Sequence, residues 1–274
     1  MKRCLLTVAV VALCLAPLHA DLTLVQTMTI EGGFAAMMGG MQPTMTMRIK
    51  GNKARADIDI MDQKVTTITD ITTKQVTILN SATKTATVMN AGEMPPMPGG
   101  APMPKIDYTF KATGQKRTLE GVSCDDHAFT MTLSMSEMAG GGGQMPPEAA
   151  AALKDVRILM NGVSCVANDG PGAAEYATFQ KAASAQALDW VLKGGAPGAQ
   201  PQGMDKVLAA AGSAPGIPYL TEITMSFEGS GPMVDMMKQM GAMKMTQKTT
   251  KVSTDLLTDD IFTVPADYKI EKKE

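Results

Sequence analysis

The sequence contains four cysteines: Cys4, Cys14, Cys124 and Cys165. Their bonding is the chemical property that the sequence constrains most. We expect the N-terminal segment that contains the first two to be removed, which leaves Cys124 and Cys165 as a single intramolecular pair. In an oxidising compartment such a pair forms a disulfide. The alternative is two small buried thiols on separate strands, because free cysteine behaves as a small apolar residue.

A hairpin would bring these two cysteines together. Each ends the sequence Gly-Val-Ser-Cys on a predicted strand, and the glycine run at 140–143 lies between them. Placing Cys124 directly opposite Cys165 also pairs apolar residues across the two strands: Phe129 with Met160 and Leu133 with Val156. The sequence therefore predicts an antiparallel strand pair closed by a Cys124–Cys165 disulfide.

Few residues of the sequence are candidates for catalysis. After the N-terminal segment, His127 is the single histidine. A metal site made of histidines therefore lacks further histidine ligands, and a Ser-His-Asp triad has one candidate base. With Asp125 and Asp126 it is better explained as the exposed start of a strand than as an acid–base pair. The glycines at 140–143 are not a phosphate loop, because no Lys-Ser/Thr follows. We predict no catalytic residue, no metal site and no cofactor.

Methionine is the anomaly of the composition, with 25 methionines against six phenylalanines. Two loop clusters, Met94 with Met97 and Met236-Met237 with Met240, have the thioethers that bind Cu(I) in oxidising compartments. The alternative to copper binding is that these two clusters belong to flexible apolar loops. Methionines within strands are interpreted as core or cavity wall, because this flexible side chain suits surfaces that accept several shapes.

Residues 1–20 have the organisation of a signal peptide. Lys2 and Arg3 precede an apolar core from Leu5 to Leu15, and a small residue, Ala20, ends the segment. The apolar core is too short to span a bilayer. We therefore expect cleavage near Ala20 and a periplasmic or otherwise exported protein that does not span the membrane.

Residues 21–274 are predicted to form a single β-rich domain. A formal net charge of −2 without a Lys/Arg cluster excludes nucleic acid as a partner. Loop insertions rich in Met, Gly and Pro interrupt the domain at 31–43, 92–105, 136–150, 194–216 and 229–242. These insertions lie between the predicted strands.

Alternation of polar and apolar residues predicts the strands. Residues 44–50 and 53–60 alternate on either side of Gly51-Asn52, which is a strong hairpin signal. Asp57 and Asp59 fall on the face of 53–60 that we predict to be solvated. Further strands are predicted at 65–70, 75–79, 85–89, 107–113, 117–135, 156–166, 219–228, 243–253 and 261–264.

One long helix is predicted from Pro171 to Lys193, with Tyr176, Phe179 and Trp190 on its buried side. A weaker helix is expected near 205–211, and the methionine-rich segment 232–241 is expected to be helical or mobile. No βαβ rhythm is present, which excludes a doubly wound fold. We therefore expect a mainly β (α+β) fold: a single curved antiparallel sheet, or half-barrel, with one long helix and one or two short helices on its concave face.

Five motifs follow one another in order along the chain. They are Lys50-Gly-Asn-Lys-Ala-Arg55, Asp70 with 76–80 and Lys84, Gly114 with Leu119–Cys124, Val166–Phe179, and Phe262-Thr-Val-Pro-Ala-Asp-Tyr268. Together they resemble an exported bacterial family of unknown function with a lipoprotein-carrier-like (LolA/LolB-like) fold. Cys165 and Thr77 depart from the aromatic residues of that pattern. The resemblance implies a half-barrel with helices over its hollow, a fold used elsewhere for acyl chains.

The apolar face of this sheet is either a filled core or a binding surface. The residues predicted to line a ligand cavity there are Met28, Met45, Met47, Ile49, Ile58, Ile60, Phe129, Met131, Leu133, Met135, Ile223, Met225, Phe227, Phe179 and Trp190. The leading hypothesis is a carrier of an acyl chain or another hydrophobic ligand. The alternatives are a structural or assembly module with an envelope protein as its partner, and copper binding by the methionine loops.

Overall fold

The computed structural model describes residues 21–32, 42–60, 63–90, 105–134, 155–192, 203–213 and 216–272. The strands among them are β1 (Leu22–Glu31), β2 (Thr44–Lys50), β3 (Lys53–Ile60), β4 (Gln63–Asp70), β5 (Gln75–Asn80), β6 (Thr85–Asn90), β7 (Ile106–Leu119), β8 (Val122–Ser134), β9 (Arg157–Ala167), β10 (Ile217–Glu228), β11 (Met243–Ser253) and β12 (Lys269–Lys272). The helices are α1 (Ala173–Leu192), α2 (Met204–Ser213) and α3 (Pro232–Gln239), and a 3-10 turn spans Asp259–Phe262.

The described strands form one open, curved sheet in the order β12-β6-β5-β4-β3-β2-β1-β11-β10-β9-β8-β7. Two meanders, β1 to β6 and β7 to β11, are joined side by side because β1 pairs with β11. The expected mainly β fold with a single curved sheet, one long helix and short helices is confirmed at this level.

The prediction of a wholly antiparallel sheet is wrong at one edge. Strand β12 pairs in parallel with β6, whereas the other described pairs are antiparallel. The chain reaches this edge through residues 254–268, which cross one face of the sheet instead of making a hairpin, and a crossover permits parallel pairing. The strand predicted at 261–264 is also wrong, because residues 259–262 form the 3-10 turn.

The hairpin prediction at Gly51-Asn52 is confirmed: Lys50 pairs with Lys53, and Gly51 has a φ of 55°. The single strand predicted at 117–135 is instead two strands. Strand β7 continues to Leu119, and a two-residue turn of Glu120 and Gly121, with φ of 51° and 83°, leads into β8. Glutamate is rarely found at positive φ, so Gly121 was the single residue of this turn whose type indicated it.

Helix α1 packs on one side of the sheet, which we call the helix face. Tyr176 and Phe179 are 8% and 6% exposed and form a core cluster with Leu22, Leu24 and Ile49. Burial of these two aromatic side chains was predicted from their helical spacing and is confirmed. The helix begins at Ala173, two residues later than predicted.

The other side of the sheet, the outer face, is covered over β4 to β6 by residues 257–268. Phe262 is buried there in a second cluster with Ile68, Leu79 and Ala86. Two side chains of the β2–β3 hairpin hold this segment: the Lys50 Nζ donates to the Leu257 carbonyl at 2.7 Å and the Arg55 Nη1 to the Ile261 carbonyl at 2.8 Å. The Lys50–Arg55 motif therefore fastens the C-terminal segment to the sheet.

Asp57 lies on this outer face and is 3% exposed, so its predicted solvent exposure is wrong. Its carboxylate accepts from Arg48 Nη1 at 2.6 Å, from Arg55 Nε at 3.0 Å and from the Thr66 hydroxyl at 2.6 Å. Burial raises the pKa of Asp57, but the hydrogen bonds from Arg55 and Thr66 and the nearby positive charges outweigh it, so the net pKa is lowered. Asp57 is thus an ionised group at the centre of a buried network.

The predicted disulfide is present: Cys124 and Cys165 are bonded, with their Cα atoms 5.3 Å apart. The predicted register is wrong by two residues, however. Phe129 lies opposite Gly162 and Leu133 opposite Ile158, so the cysteines are diagonal neighbours on adjacent strands. Gly162 makes room for the ring of Phe129, because a Cβ at position 162 would overlap that ring.

Replacing Cys124 and Cys165 together with Ala is expected to lower the free energy of unfolding by about 3–4 kcal/mol. The reason is that the bond closes a long loop, with its ends 41 positions apart in the sequence, and so restricts the unfolded chain. Denaturant unfolding of parent and variant, both with Cys4 and Cys14 changed to Ser, measures the difference. Two free thiols in the unfolded, unreduced parent would contradict the bond.

Candidate functional site

Strand register aligns apolar residues into three rows on the helix face of β8, β9, β10 and β11, which we call the three-row patch. The first row is Phe129, Gly162, Ile223 and Met245. The second row is Met131, Met160, Met225 and Met243. The third row is Leu133, Ile158 and Phe227. Strands β7 and β1 widen the first row with Phe110 and Ile30.

The three-row patch differs from the core under α1 in exposure. Leu22, Leu24 and Ile49 of the core are at most 2% exposed, whereas each residue of the three rows keeps an intermediate exposure. Apolar side chains that adjoin a core and still face water form a contiguous apolar surface, and such surfaces mark binding sites. The patch is therefore the candidate site.

Helices α1 and α2 adjoin this patch. The end of α2 lies beside α1, where Gly212 faces the Ser184 side chain. Its beginning lies against β7, where Gly203 faces the carbonyl of Ile106. Ile106 pairs with Leu133 of the third row, so the two helices connect the core with the far edge of the patch.

A row of polar side chains separates the patch from the core. In register these are His127, Ser164, Thr221 and Gln247. The Ser164 and Thr221 hydroxyls lie 2.9 Å apart, and the Gln247 Nε2 donates to the Gln26 Oε1 at 2.8 Å. Hydrogen bonding within the row lets these groups be buried beside apolar neighbours.

His127 was expected at an exposed strand start, but it is only 9% exposed. Its ring stacks on Phe110 with centroids 5.0 Å apart, and its Nδ1 lies 3.1 Å from the backbone carbonyl of Asp125. Among the described residues no carboxylate hydrogen-bonds to this ring, so the geometry of an acid–base pair is not formed. The described residues also contain no group of three or more His, Cys, Asp or Glu suited to a metal.

Helix α1 contributes one unpaired polar group. The Nε2 of Gln186 is buried, and within the described part of the chain it has no hydrogen-bond partner. Gln186 follows Phe179 by seven residues, which places it on the same side of the helix. A buried donor without an acceptor is costly, so this amide is available to a ligand.

A separate groove of about 500 Å³ lies on the outer face behind the first row. Its walls include residues that alternate with those of the patch: Ala128, Thr130, Asn161, Val163, Glu222, Thr224, Lys244 and Thr246. Polar and charged side chains make up much of this wall, and Phe129, Gly162, Ile223 and Met245 of the first row also line the groove.

The predicted cavity residues divide into four groups. Met131, Leu133, Phe129, Ile223, Met225 and Phe227 lie together in the patch. Ile49 and Phe179 are buried in the core, and the partly buried Met47 packs against it. Met28, Met45 and Ile58 lie elsewhere on the helix face. Met135 and the side chains of Ile60 and Trp190 lie outside the described residues.

Besides Gly162, sequence reasoning missed four members of the patch: Ile158, Met160, Met243 and Met245. All four lie on strands that were predicted, and their alternation with polar neighbours was the available signal. The pairing of β9, β10 and β11 joins segments far apart in the chain. That pairing brings the four residues beside those that were predicted.

Comparisons with known proteins show a distant likeness to solved structures. No family model matches the chain, and no curated protein matches it. Among solved structures the chain is similar to the lipoprotein LppX of Mycobacterium tuberculosis, with 9% identity, coverage of 86% of this chain and 89% of that chain, and a TM-score of 0.29. In the described part of this chain, no helix combines the length and apolar character needed to cross a membrane.

Proposed function

We propose that this protein is an exported, non-catalytic carrier of a hydrophobic molecule, with an acyl chain as the ligand class. The three-row patch would hold the ligand, and the curved sheet would act as a half-barrel around it. The observation that carries this proposal is the intermediate exposure of all three rows on the same face that buries the core under α1. Burial of such a surface by a ligand contributes about 25 cal/mol per Å².

The dimensions of the patch suit an extended chain. Its first row runs from Phe110 on β7 to Ile30 on β1 across six neighbouring strands. With strands about 4.8 Å apart, this row spans roughly 24 Å. Methionine in the first and second rows adapts to a flexible, unbranched partner better than branched side chains do.

Polar groups on α1 and in the polar row favour an amphiphile over a pure hydrocarbon. The unpaired Gln186 Nε2 can donate to an ester or carboxyl oxygen. The hydrogen-bonded pair of Ser164 and Thr221 hydroxyls in the polar row leaves one further O–H donor at its boundary. An acyl chain on the patch would therefore direct its polar end toward α1 and the polar row.

Replacing Met225 with Glu is expected to abolish ligand binding while the fold survives. The carboxylate would stand at the centre of the second row, where an acyl chain cannot solvate it. Binding is measured as the gain in emission of an apolar fluorophore and its displacement by palmitate. We expect both with the parent protein and neither with M225E.

Thr224→Glu is the matched control, because Thr224 is the neighbouring residue on the same strand and alternation places it on the outer face. It should retain the emission gain and the displacement. An unchanged signal in M225E would remove the patch as the binding site. Native mass spectrometry of protein from an envelope fraction then tests for a bound lipid mass, and its absence favours the structural-module alternative.

A further inference from the structure

The second row of the patch consists of methionine on four neighbouring strands. Met131 lies opposite Met160, Met160 opposite Met225, and Met225 opposite Met243. Directly opposed residues on adjacent strands have Cβ atoms about 4.5–5.5 Å apart. Met225 therefore has a thioether side chain on each side of it, from Met160 and from Met243.

These side chains can bring their sulfurs to a common point. Methionine is unbranched and has three rotatable bonds, so a thioether can move toward its neighbour without a change of backbone. None of the three side chains is fully buried, which leaves the row accessible from the helix face. A small ion above Met225 can be reached by the sulfurs of all three residues.

The surroundings of this row select the kind of ion. Thioether sulfur is a neutral, soft ligand that binds Cu(I) and related monovalent ions, and it binds hard cations poorly. The residues that flank Met225 in the first and third rows, Ile223 and Phe227, are apolar and supply no carboxylate. The two described cysteines are joined to each other on the outer face, so they supply no thiolate.

We propose that Met160, Met225 and Met243 form a binding site for a soft monovalent metal ion, Cu(I) or Ag(I). Met131 and Met245 extend the thioether surface, since Met131 lies opposite Met160 and Met245 lies one row from Met225. The site is built on rigid strands and is distinct from the methionine clusters predicted in the loops. It does not depend on acyl-chain binding.

The test is a titration with Ag(I), which needs no reductant and so leaves the disulfide intact. The parent is the full chain with Cys4 and Cys14 changed to Ser, because their thiols would compete for silver. We expect one Ag(I) to bind more tightly than any further equivalents. Because loss of even a second-shell partner weakens metal binding by about 10- to 100-fold, the M160L/M225L/M243L variant should lose at least that much affinity at this first site.

The matched control removes the same number of sulfurs from the same face in M28L/M45L/M47L, and it should retain the first site. Unaltered silver affinity in M160L/M225L/M243L would overturn the metal site. Loss of fluorophore binding by M225E tests the carrier function separately.

A spectroscopic measurement on the parent avoids any effect of substitution on folding. With carbon-13 in the methionine methyl groups, the first equivalent of Ag(I) should shift the signals of Met160, Met225 and Met243. Single Met→Leu variants assign those signals. A first equivalent that shifts other methionine signals and leaves these three in place would overturn the assignment.

Discussion

Replacing Phe179 with Ala is expected to lower the free energy of unfolding by about 3–5 kcal/mol, the range for a buried aromatic side chain. Phe179 is 6% exposed and packs with Leu22 and Leu24, which are at most 1% exposed. Truncation would leave a cavity where α1 meets the sheet, and the close-packed strands cannot collapse into it. Denaturant unfolding followed by circular dichroism measures the loss.

Phe227→Ala provides the comparison. Phe227 belongs to the third row of the patch and is only partly buried. Its truncation removes less buried area and should cost distinctly less stability than truncation of Phe179. A loss below about 1 kcal/mol for F179A would contradict the packing of α1 on the helix face.

Asp57→Asn is expected to lower the free energy of unfolding by about 3 kcal/mol near neutral pH, at the low end of the range for breaking a buried ion pair. The carboxylate is 3% exposed and lies 2.6 Å from Arg48 Nη1 and 2.9 Å from Arg55 Nη2. Asparagine keeps the size but leaves both guanidinium groups without their counter-charge. Their own partial exposure moderates the cost, because water can solvate them in part.

The same group predicts a pH dependence. Because the net pKa of Asp57 is lowered in the folded protein, its contribution is present above the ordinary Asp value of about 4 and is lost as the pH falls through the lowered folded value. The difference in stability between parent and D57N should therefore be constant from pH 7 to 5 and shrink below about pH 4. Urea unfolding at a series of pH values measures this difference.

Asp59→Asn is the matched control, because Asp59 lies on the same strand and face as Asp57 but is exposed. It should change the stability by less than about 0.5 kcal/mol, as surface substitutions usually do. Equal losses for D57N and D59N would show that the buried network around Asp57 is not formed. A large loss in D57N alone supports the attachment of the C-terminal segment, since Arg55 binds both Asp57 and the Ile261 carbonyl.

The helix face thus has two regions with different expected responses to substitution. Changes in the core, at Phe179, should affect stability first. Changes in the three-row patch, at Met225, should affect binding first, because its side chains are only partly buried. Measuring both properties on both variants separates a binding surface from a loosely packed core.

Local pattern predicted most of the strands, the helices and which strand residues share a face. Alternation along β2, β8 and β10 assigned Met45, Met131 and Met225 to one side of the sheet, because successive strand residues point to opposite faces. Helical spacing predicted the burial of Tyr176 and Phe179. Counting cysteines predicted the disulfide, since no other pair was available after the N-terminal segment.

Register and long-range contact could not be predicted in the same way. A slip of two residues keeps every side chain on its face, so the alternation could not distinguish Phe129 opposite Met160 from Phe129 opposite Gly162. The diagonal position of the cysteines and the room that Gly162 leaves for the ring depend on how β8 and β9 actually pack.

The burial of Asp57 also depends on contacts between residues that are far apart in the sequence. Its strand alternates as a half-exposed strand does, and the residues that cover it lie about 200 positions later in the chain. The row of Met131, Met160, Met225 and Met243 likewise exists only because four strands meet in one register. Periodicity along a strand determines which side chains share a face, whereas pairing between distant strands determines which of them are neighbours.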